Sequence, residues 1–392
     1  MPLGHLPAML TSALAAFCAI VWIYLLCWRG RYWMNPVADT AVPPAPAVWP
    51  AVAVVVPARD EVAVIGESVG SLVRQGYPGP LGIIVVDDDS SDGTAAVARE
   101  AAAQRPDRNV MVIGSGGLAP GWTGKLWAMK QGIAAAEQAF RPDYLLLTDA
   151  DIAHAPDTVA WLVAHAQAGG NVLTSLMAKL RCESLAERSH VPAFIYFFQM
   201  LYPFAWVSNP KAATAAAAGG CMLVGADALR AAGGIDTMRN ALIDDCALGR
   251  KMKAVGPIWL GLTERSLSIR PYETVADVRR MISRSAYAQL QYSPLLLAGT
   301  IAGLALTFLA PPLLAIFAEG WPRYLGLAAY LGMAVSMAPT LRFYRMSSLW
   351  GLALPVIAAV YGAYTLDSAY QHARRRGGQW KGRVDVNAPS LR

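Results

Sequence analysis

Two regions of the chain are apolar over lengths that a helix in water does not need, and the stretch between them alternates short apolar runs with helical patterns. Residues 6–28 carry no charge, and a helix of that length spans about 34 Å against a bilayer core of about 30 Å. Arg29 and Arg31 follow the apolar core, with Tyr32 and Trp33 beside them. A signal peptide carries its positive charge in front, so a membrane anchor is expected. After Arg284 no charge appears until Glu319, and uncharged runs continue over 324–341 and 346–366. Three more membrane segments are predicted there. Flanking arginines favour the cytoplasmic side, which assigns to the cytoplasm both the middle region and the tail, with Arg374, Arg375, Arg376, Lys381 and Arg383. One helix before the middle and three after it cannot satisfy both. One C-terminal segment is therefore expected to be re-entrant or to lie on the surface. The proline-broken stretch around Ala310 and Pro311 is the leading candidate.

The middle changes period. Residues 35–50 hold Pro36, Pro43, Pro44, Pro46 and Pro50 and read as an extended tether. Continuous β-branched or apolar runs at 51–56, 82–86, 110–113 and 144–148 predict buried parallel strands, with helices at 65–75 and 94–104 between them. Strands alternating with helices predict an α/β domain with a doubly wound, mostly parallel sheet, whose ligand site lies at the carboxyl ends of the strands. Polar clusters occur there: Arg59-Asp60-Glu61, Asp87-Asp88-Asp89 and Asp149-Ala150-Asp151.

Composition narrows the chemistry. The 392 residues are 55% hydrophobic and only 15% charged, below the roughly 25% charged content of soluble proteins. Five cysteines without a C-x-x-C pair, and five histidines without H-E-x-x-H, exclude a disulfide scaffold and a zinc hydrolase site. The net charge of +6 gathers beside the apolar segments, which suits anionic lipid rather than nucleic acid. No G-x-G-x-x-G follows the first strand, and the P-loop pattern fails at Ala119 and Leu126.

The acidic strand ends carry the remaining signal. Asp149 and Asp151 are spaced so that both can reach one hard divalent cation, although an acidic turn would look the same. Three consecutive aspartates at 87–89 repel one another, which suggests a cationic or hydrogen-bond-donating ligand.

Together the VVVPARDE run at 54–61, VVDDDSSDGT at 85–94, Gly124-Lys125, T-D-A-D at 148–151 and I-D-D-C-A-L-G at 243–249 resemble family 2 glycosyltransferases of the GT-A fold. The stretches Gly121 to Trp127 and Phe197 to Phe204, with apolar segments at both ends, look closest to the hopene-associated branch. The resemblance implies that Pro57, Ala58, Arg59 and Glu61 line a donor nucleotide, with Asp88 at its base and Lys125 also facing the donor. Asp149 and Asp151 would position ribose, diphosphate and magnesium or manganese. Asp245, beside Asp244, would be the general base, a role compatible with capping a helix. Processive and ceramide-type relatives carry Q-x-x-R-W or R-x-x-R-W after the base, but no tryptophan follows Arg284. That favours a single transfer. Arg280 and Arg284, four apart on a helix, either meet diphosphate or lipid phosphate or form a solvated pair. Residues 190–210, aromatic and broken by Pro192 and Pro203, are expected at the membrane interface, with a buried helix as the alternative.

The expected organisation is an anchor at 1–34, a linker at 35–50, a cytoplasmic GT-A domain at 51–290, membrane segments at 291–370 and a basic tail at 371–392. The expected activity is inverting transfer of one sugar from a nucleotide-sugar donor to the hydroxyl of a hopanoid or terpenoid-like lipid acceptor, by a multi-pass protein of the inner membrane. The rivals are a polyprenyl-phosphate glycosyltransferase and a non-catalytic lipid-binding or transport scaffold, which would carry intramembrane charges or repeated halves.

Overall fold

The structure, a computed structural model, describes residues 6–34, 39–374, 379–380 and 383–384. They fall into two compact units. One is built from the described residues of Val37–Arg181, Trp206–Pro271 and Gly378–Arg392, the other from those of Met1–Pro36, Cys182–Ala205 and Tyr272–Gly377.

The first unit is organised on a sheet of β1 (Val52–Ala58), β2 (Leu81–Asp87), β3 (Asn109–Gly114), β4 (Tyr144–Leu147), β5 (Ile152–His154), β6 (Leu173–Lys179), β7 (Met222–Gly225) and β8 (Ile258–Ser268). Its strand order is β3-β2-β1-β4-β7-β6-β8-β5. The four strands expected from the sequence form its parallel half, β2 pairing with β3 and β1 with both β2 and β4. Every residue of β1 is buried, which is why its sequence is a continuous apolar run rather than an alternating one. The rest of the sheet is mixed: β7 runs antiparallel to β4 and β6, and β5 antiparallel to β8. A parallel neighbour needs a crossover of a dozen or more residues. The few residues between β4 and β5 cannot supply one, so the chain turns away to pair with β8.

The helix Gly124–Phe140 lies against β1 and β2. A Cβ on its Gly132 would stand 2.4 Å from Val55 Cγ1 and 2.8 Å from Val86 Cγ2. This glycine therefore sets how closely the helix approaches the sheet. The expected tether is not free along its length. Asp39 is buried, accepting a 2.5 Å hydrogen bond from the Thr263 hydroxyl, and the Ala41 and Pro50 carbonyls accept from Trp161 Nε1 and the Tyr77 hydroxyl. Prolines keep this segment extended without ladder hydrogen bonds, leaving those groups to side chains of the sheet unit.

The second unit is helical. Four of its helical stretches, Ala8–Cys27, Pro294–Phe317, Trp321–Phe343 and Ser348–Ala373, are long and apolar enough to cross a membrane. They leave large apolar side chains exposed, among them Leu295, Ile316, Phe317, Tyr324, Leu349 and Val356. Pro311 and Pro312 do not break their helix, contrary to the expectation of a re-entrant break. The stretch is helical from Pro294 to Phe317, with one wide π turn at Ala305–Leu309. Pro311 has no N–H to donate, and the carbonyl it would have satisfied, that of Thr307, accepts instead from Trp22 Nε1 at 2.8 Å. Cys18 Sγ likewise donates to Leu306 O at 3.4 Å.

The aromatic segment expected at an interface is also regular. Leu185–Leu201 is one helix through Pro192, opened by a capping box between Ser184 and Glu187. His190, Val191, Ile195, Tyr196 and Gln199 are buried, and Tyr196 is hydrogen-bonded at 2.7 Å to both Tyr32 and Ser336. The polar tips of its buried face thus find partners inside the unit. Arg375, Arg376 and Lys381 of the basic tail lie outside the described residues.

Gly132→Val is expected to cost about 1–3 kcal/mol by overpacking against Val55 and Val86. Thermal unfolding in detergent should show a midpoint lowered by about 3–8 °C; an unchanged midpoint would contradict the close helix–sheet approach.

Candidate active site

The first two strand ends are tied together by short polar side chains. The Asp60 N–H donates to Ser90 Oγ at 3.0 Å, Ser91 N donates to Asp60 Oδ1 at 2.9 Å, and Glu61 N donates to Thr94 Oγ1 at 2.7 Å. Asp60 and Asp89 hold φ values of +49° and +53°, left-handed backbone that aspartate tolerates better than most residues. Such strain gathers at functional sites. Asp88 is fully buried; its Oδ1 accepts from Ser115 Oγ at 2.7 Å, and Arg59 Nη1 donates to its backbone carbonyl. Asp88 thus has partners of its own, whereas Asp87 Oδ1 is buried without a hydrogen bond. Pro57 and Ala58 are buried at the end of β1, and the Ala58 carbonyl accepts from Asp88 N at 2.8 Å.

Lys125 joins three segments. It stands in the first turn of the helix that Gly132 seats on the sheet, and its Nζ lies 2.8 Å from Asp149 Oδ1 and 2.9 Å from Asp244 Oδ2. Burial alone would lower its pKa, but the two carboxylates reverse this and hold the ammonium above the ordinary lysine value. Asp244 and Asp245 open the helix Asp244–Lys253, whose approach depends on Gly249: a Cβ there would meet the Ala216 carbonyl carbon at 2.6 Å. That contact brings the 216–219 segment alongside, and Gly219 N donates to Asp245 Oδ2 at 3.1 Å while Cys246 N donates to Oδ1 at 2.7 Å. Burial raises the Asp245 carboxyl, the like charge of Asp244 adds to this, and Lys125 and the two amides oppose it; the result is a pKa pushed up to about 6.

The turn that carries Asp149 and Asp151 is braced from below. Thr148 Oγ1 donates to Gly220 O at 2.7 Å and lies 2.9 Å from His154 Nε2, whose Nδ1 is 2.9 Å from Ser266 Oγ. Burial lowers the His154 pKa to about 4, so the ring is neutral and structural.

Asp151 points to a residue that no strand-end motif announced. Arg270 Nε donates to Asp151 Oδ2 at 2.8 Å, and its Nη2 donates to Glu61 Oε2 at 2.5 Å. The two carboxylates expected to share a cation therefore each face a cationic side chain, Asp149 with Lys125 and Asp151 with Arg270. Among the described residues, no group of three or more His, Cys, Asp or Glu side chains is arranged to hold a metal ion. The only sequence signal for Arg270 is its place just past a long strand, before Pro271. Arg280 and Arg284 do not join this cluster's unit. They belong to the helical one, where Arg280 pairs with Asp277 one turn back on the exposed helix Val275–Ser283.

Burial already holds the Asp149 carboxyl above its ordinary value, and replacing Lys125 with Met would remove the charge that opposes this, raising its folded-state pKa further above the unfolded one. Protonation then favours the folded state, so the loss of stability should be largest at pH 8 and shrink as the pH falls toward 5. Unfolding midpoints of wild type and Lys125→Met across that range check this; a pH-independent difference would contradict it.

A solved structure of the mannosyltransferase PcManGT from Pyrobaculum calidifontis, in complex with GDP-Man and Mn2+, matches 93% of this chain and 99% of its own, at 19% identity with a TM-score of 0.55. Glucosyl-3-phosphoglycerate synthase from Mycobacterium tuberculosis, in complex with Mg2+ and uridine-diphosphate, matches 62% of this chain and 79% of its own, at 18% identity with a TM-score of 0.41. TarS from S. aureus matches 84% of this chain and 56% of its own, at 15% identity with a TM-score of 0.39. No curated protein matches the sequence. The likeness to the mannosyltransferase identifies the sheet unit as a GT-A fold. The model of the family described as glycosyltransferase like family 2 matches residues 50–258, more than half of the chain. The protein therefore belongs to glycosyltransferase family 2 and is a nucleotide-sugar glycosyltransferase.

Proposed function

We propose that the protein is a membrane-bound, divalent-metal-dependent enzyme that moves one sugar, with inversion, from a nucleotide donor to the hydroxyl of a hydrophobic acceptor at the cytoplasmic leaflet. The observation that carries this reading is the convergence of Lys125, Asp149, Asp244 and the amide-anchored Asp245 at the carboxyl ends of the parallel strands. The lipid acceptor and the inner-membrane location draw support from the four apolar helices and their exposed side chains. The hopanoid or terpenoid class draws support only from resemblance, through the 121–127 and 197–204 stretches.

In this reading Asp88 faces the donor base, with Arg59 and Glu61 beside it, and Lys125 supplies a permanent positive charge for the diphosphate. Asp149 and Asp151 fit a hard divalent cation: their carboxylate oxygens are the right donors, and the seat already accommodates positive charge in the form of Lys125 and Arg270. Asp149 and Asp151 would hold Mg2+ or Mn2+, which would supply positive charge to offset that developing on the departing diphosphate. Asp245 takes the proton of the acceptor hydroxyl as its oxygen attacks the anomeric carbon. Gly219 N and Cys246 N fix the carboxylate, and a pKa near 6 keeps it ionised at neutral pH yet basic enough to accept a proton. Arg280 and Arg284 are assigned to phosphate or lipid headgroups at the membrane surface.

Asp245→Asn should lower transfer to a hydroxyl acceptor by roughly a hundredfold or more, measured as nucleoside diphosphate released at saturating donor. Undiminished transfer would indicate an acceptor that is already ionised, such as a lipid phosphate, and would contradict the base. Because Asp245 works deprotonated, wild-type activity should fall as the pH drops through about 6. Asp244→Asn removes the neighbouring like charge and should move that acid limb to lower pH.

A further inference from the structure

Arg270 is placed beside the D-x-D turn by the sheet itself. β5 and β8 pair through Ile152 and Ser268, and Ile269 N donates to the Asp151 carbonyl at 2.9 Å, so the residue after Ile269 leaves the strand next to the Asp151 side chain. Pro271 confines Arg270 to extended backbone. The guanidinium then bridges carboxylates from two strand ends, Asp151 at 2.8 Å and Glu61 at 2.5 Å, both largely buried. Lys125 treats Asp149 and Asp244 in the same way. Each arm of the D-x-D turn thus carries its own cation.

Arg270 against Asp151 Oδ2 sets a positive charge beside the carboxylate a metal ion would use, so the two compete for it. The planar fork of arginine matches phosphate as well as carboxylate, whereas a metal needs the carboxylate oxygens. Resting on the donor-site reading above, we propose that Arg270 is an internal counter-ion that holds Asp151 and Glu61 in the unliganded enzyme. Arrival of the divalent cation with a nucleoside diphosphate releases it from Asp151, and its N–H groups then donate to diphosphate oxygens. The free enzyme resists loading with metal alone, and metal and nucleotide bind cooperatively because each removes the other's obstacle. Such coupling is reciprocal.

The test titrates Mn2+ against the purified full-length protein in detergent, with free Mn2+ followed by electron paramagnetic resonance, with and without GDP or UDP. Arg270→Met should bind Mn2+ roughly tenfold more tightly than wild type without nucleotide, and should bind the nucleoside diphosphate roughly tenfold more weakly without metal. Mn2+ affinity equal to or weaker than wild type would overturn the proposal. If the Met variant does not fold, Arg270→Lys serves, because it keeps the charge but lacks the planar fork through which Nε and Nη2 engage Asp151 and Glu61 separately. It should tighten Mn2+ binding by about threefold, and wild-type affinity in it would count against the counter-ion role. Asp151→Ala separates this inference from the reading beneath it. Loss of Mn2+ binding in Asp151→Ala with no change in Arg270→Met removes the counter-ion role alone. Mn2+ binding that survives Asp151→Ala removes the metal assignment and the counter-ion role together.

Discussion

The sheet unit depends on charge compensation at the carboxyl ends of its parallel strands. Glu61, Asp88, Asp149, Asp151, Asp244 and Asp245 share a small, partly buried region, and two unit charges 4 Å apart repel by about 4 kcal/mol at an effective dielectric constant of 20. Lys125 and Arg270 offset this by each bridging two carboxylates from separate segments. A glycosyltransferase site needs positive charge where a diphosphate leaves and negative charge where a proton is taken. On the reading proposed above, the same compensation provides both, with ammonium and guanidinium on one side and the amide-held Asp245 on the other.

That arrangement rests on close backbone approach. Gly132 lets the helix bearing Lys125 lie on Val55 and Val86, and Gly249 lets the helix bearing Asp244 and Asp245 meet the Ala216 backbone. Small residues bring the elements close, and the charged side chains then span gaps of under 3 Å. Thr148, His154 and Ser266 hold the D-x-D turn with hydrogen bonds that are neutral and buried. The turn therefore stays in place whether or not its carboxylates are bound to cations.

The parallel half of the sheet and the acidic strand ends were legible because burial on both faces makes a strand's sequence continuous, and because charge at its end interrupts that run. The mixed half was not. β5 and β7 are three and four residues long, too short for any period to show. Pro192 and the pair at 311–312 read as breaks. For Pro311 a partner distant in sequence, Trp22, takes up the Thr307 carbonyl, and no local pattern reveals it. Arg270 was missed for the same reason: its significance lies in the β5–β8 ladder that sets it beside Asp151, more than a hundred positions earlier.

The central claim is that this cluster transfers a sugar to a lipid. The most direct measurement incubates the purified protein with Mn2+, a panel of UDP-, GDP- and TDP-sugars and a membrane lipid extract. It follows nucleoside diphosphate release together with the mass and anomeric configuration of the lipid product. The account predicts metal-dependent release from one donor, matched mole for mole by an inverted glycolipid. Absence of donor binding and turnover across the panel, or sugar recovered only on water or on a growing polymer, would contradict it.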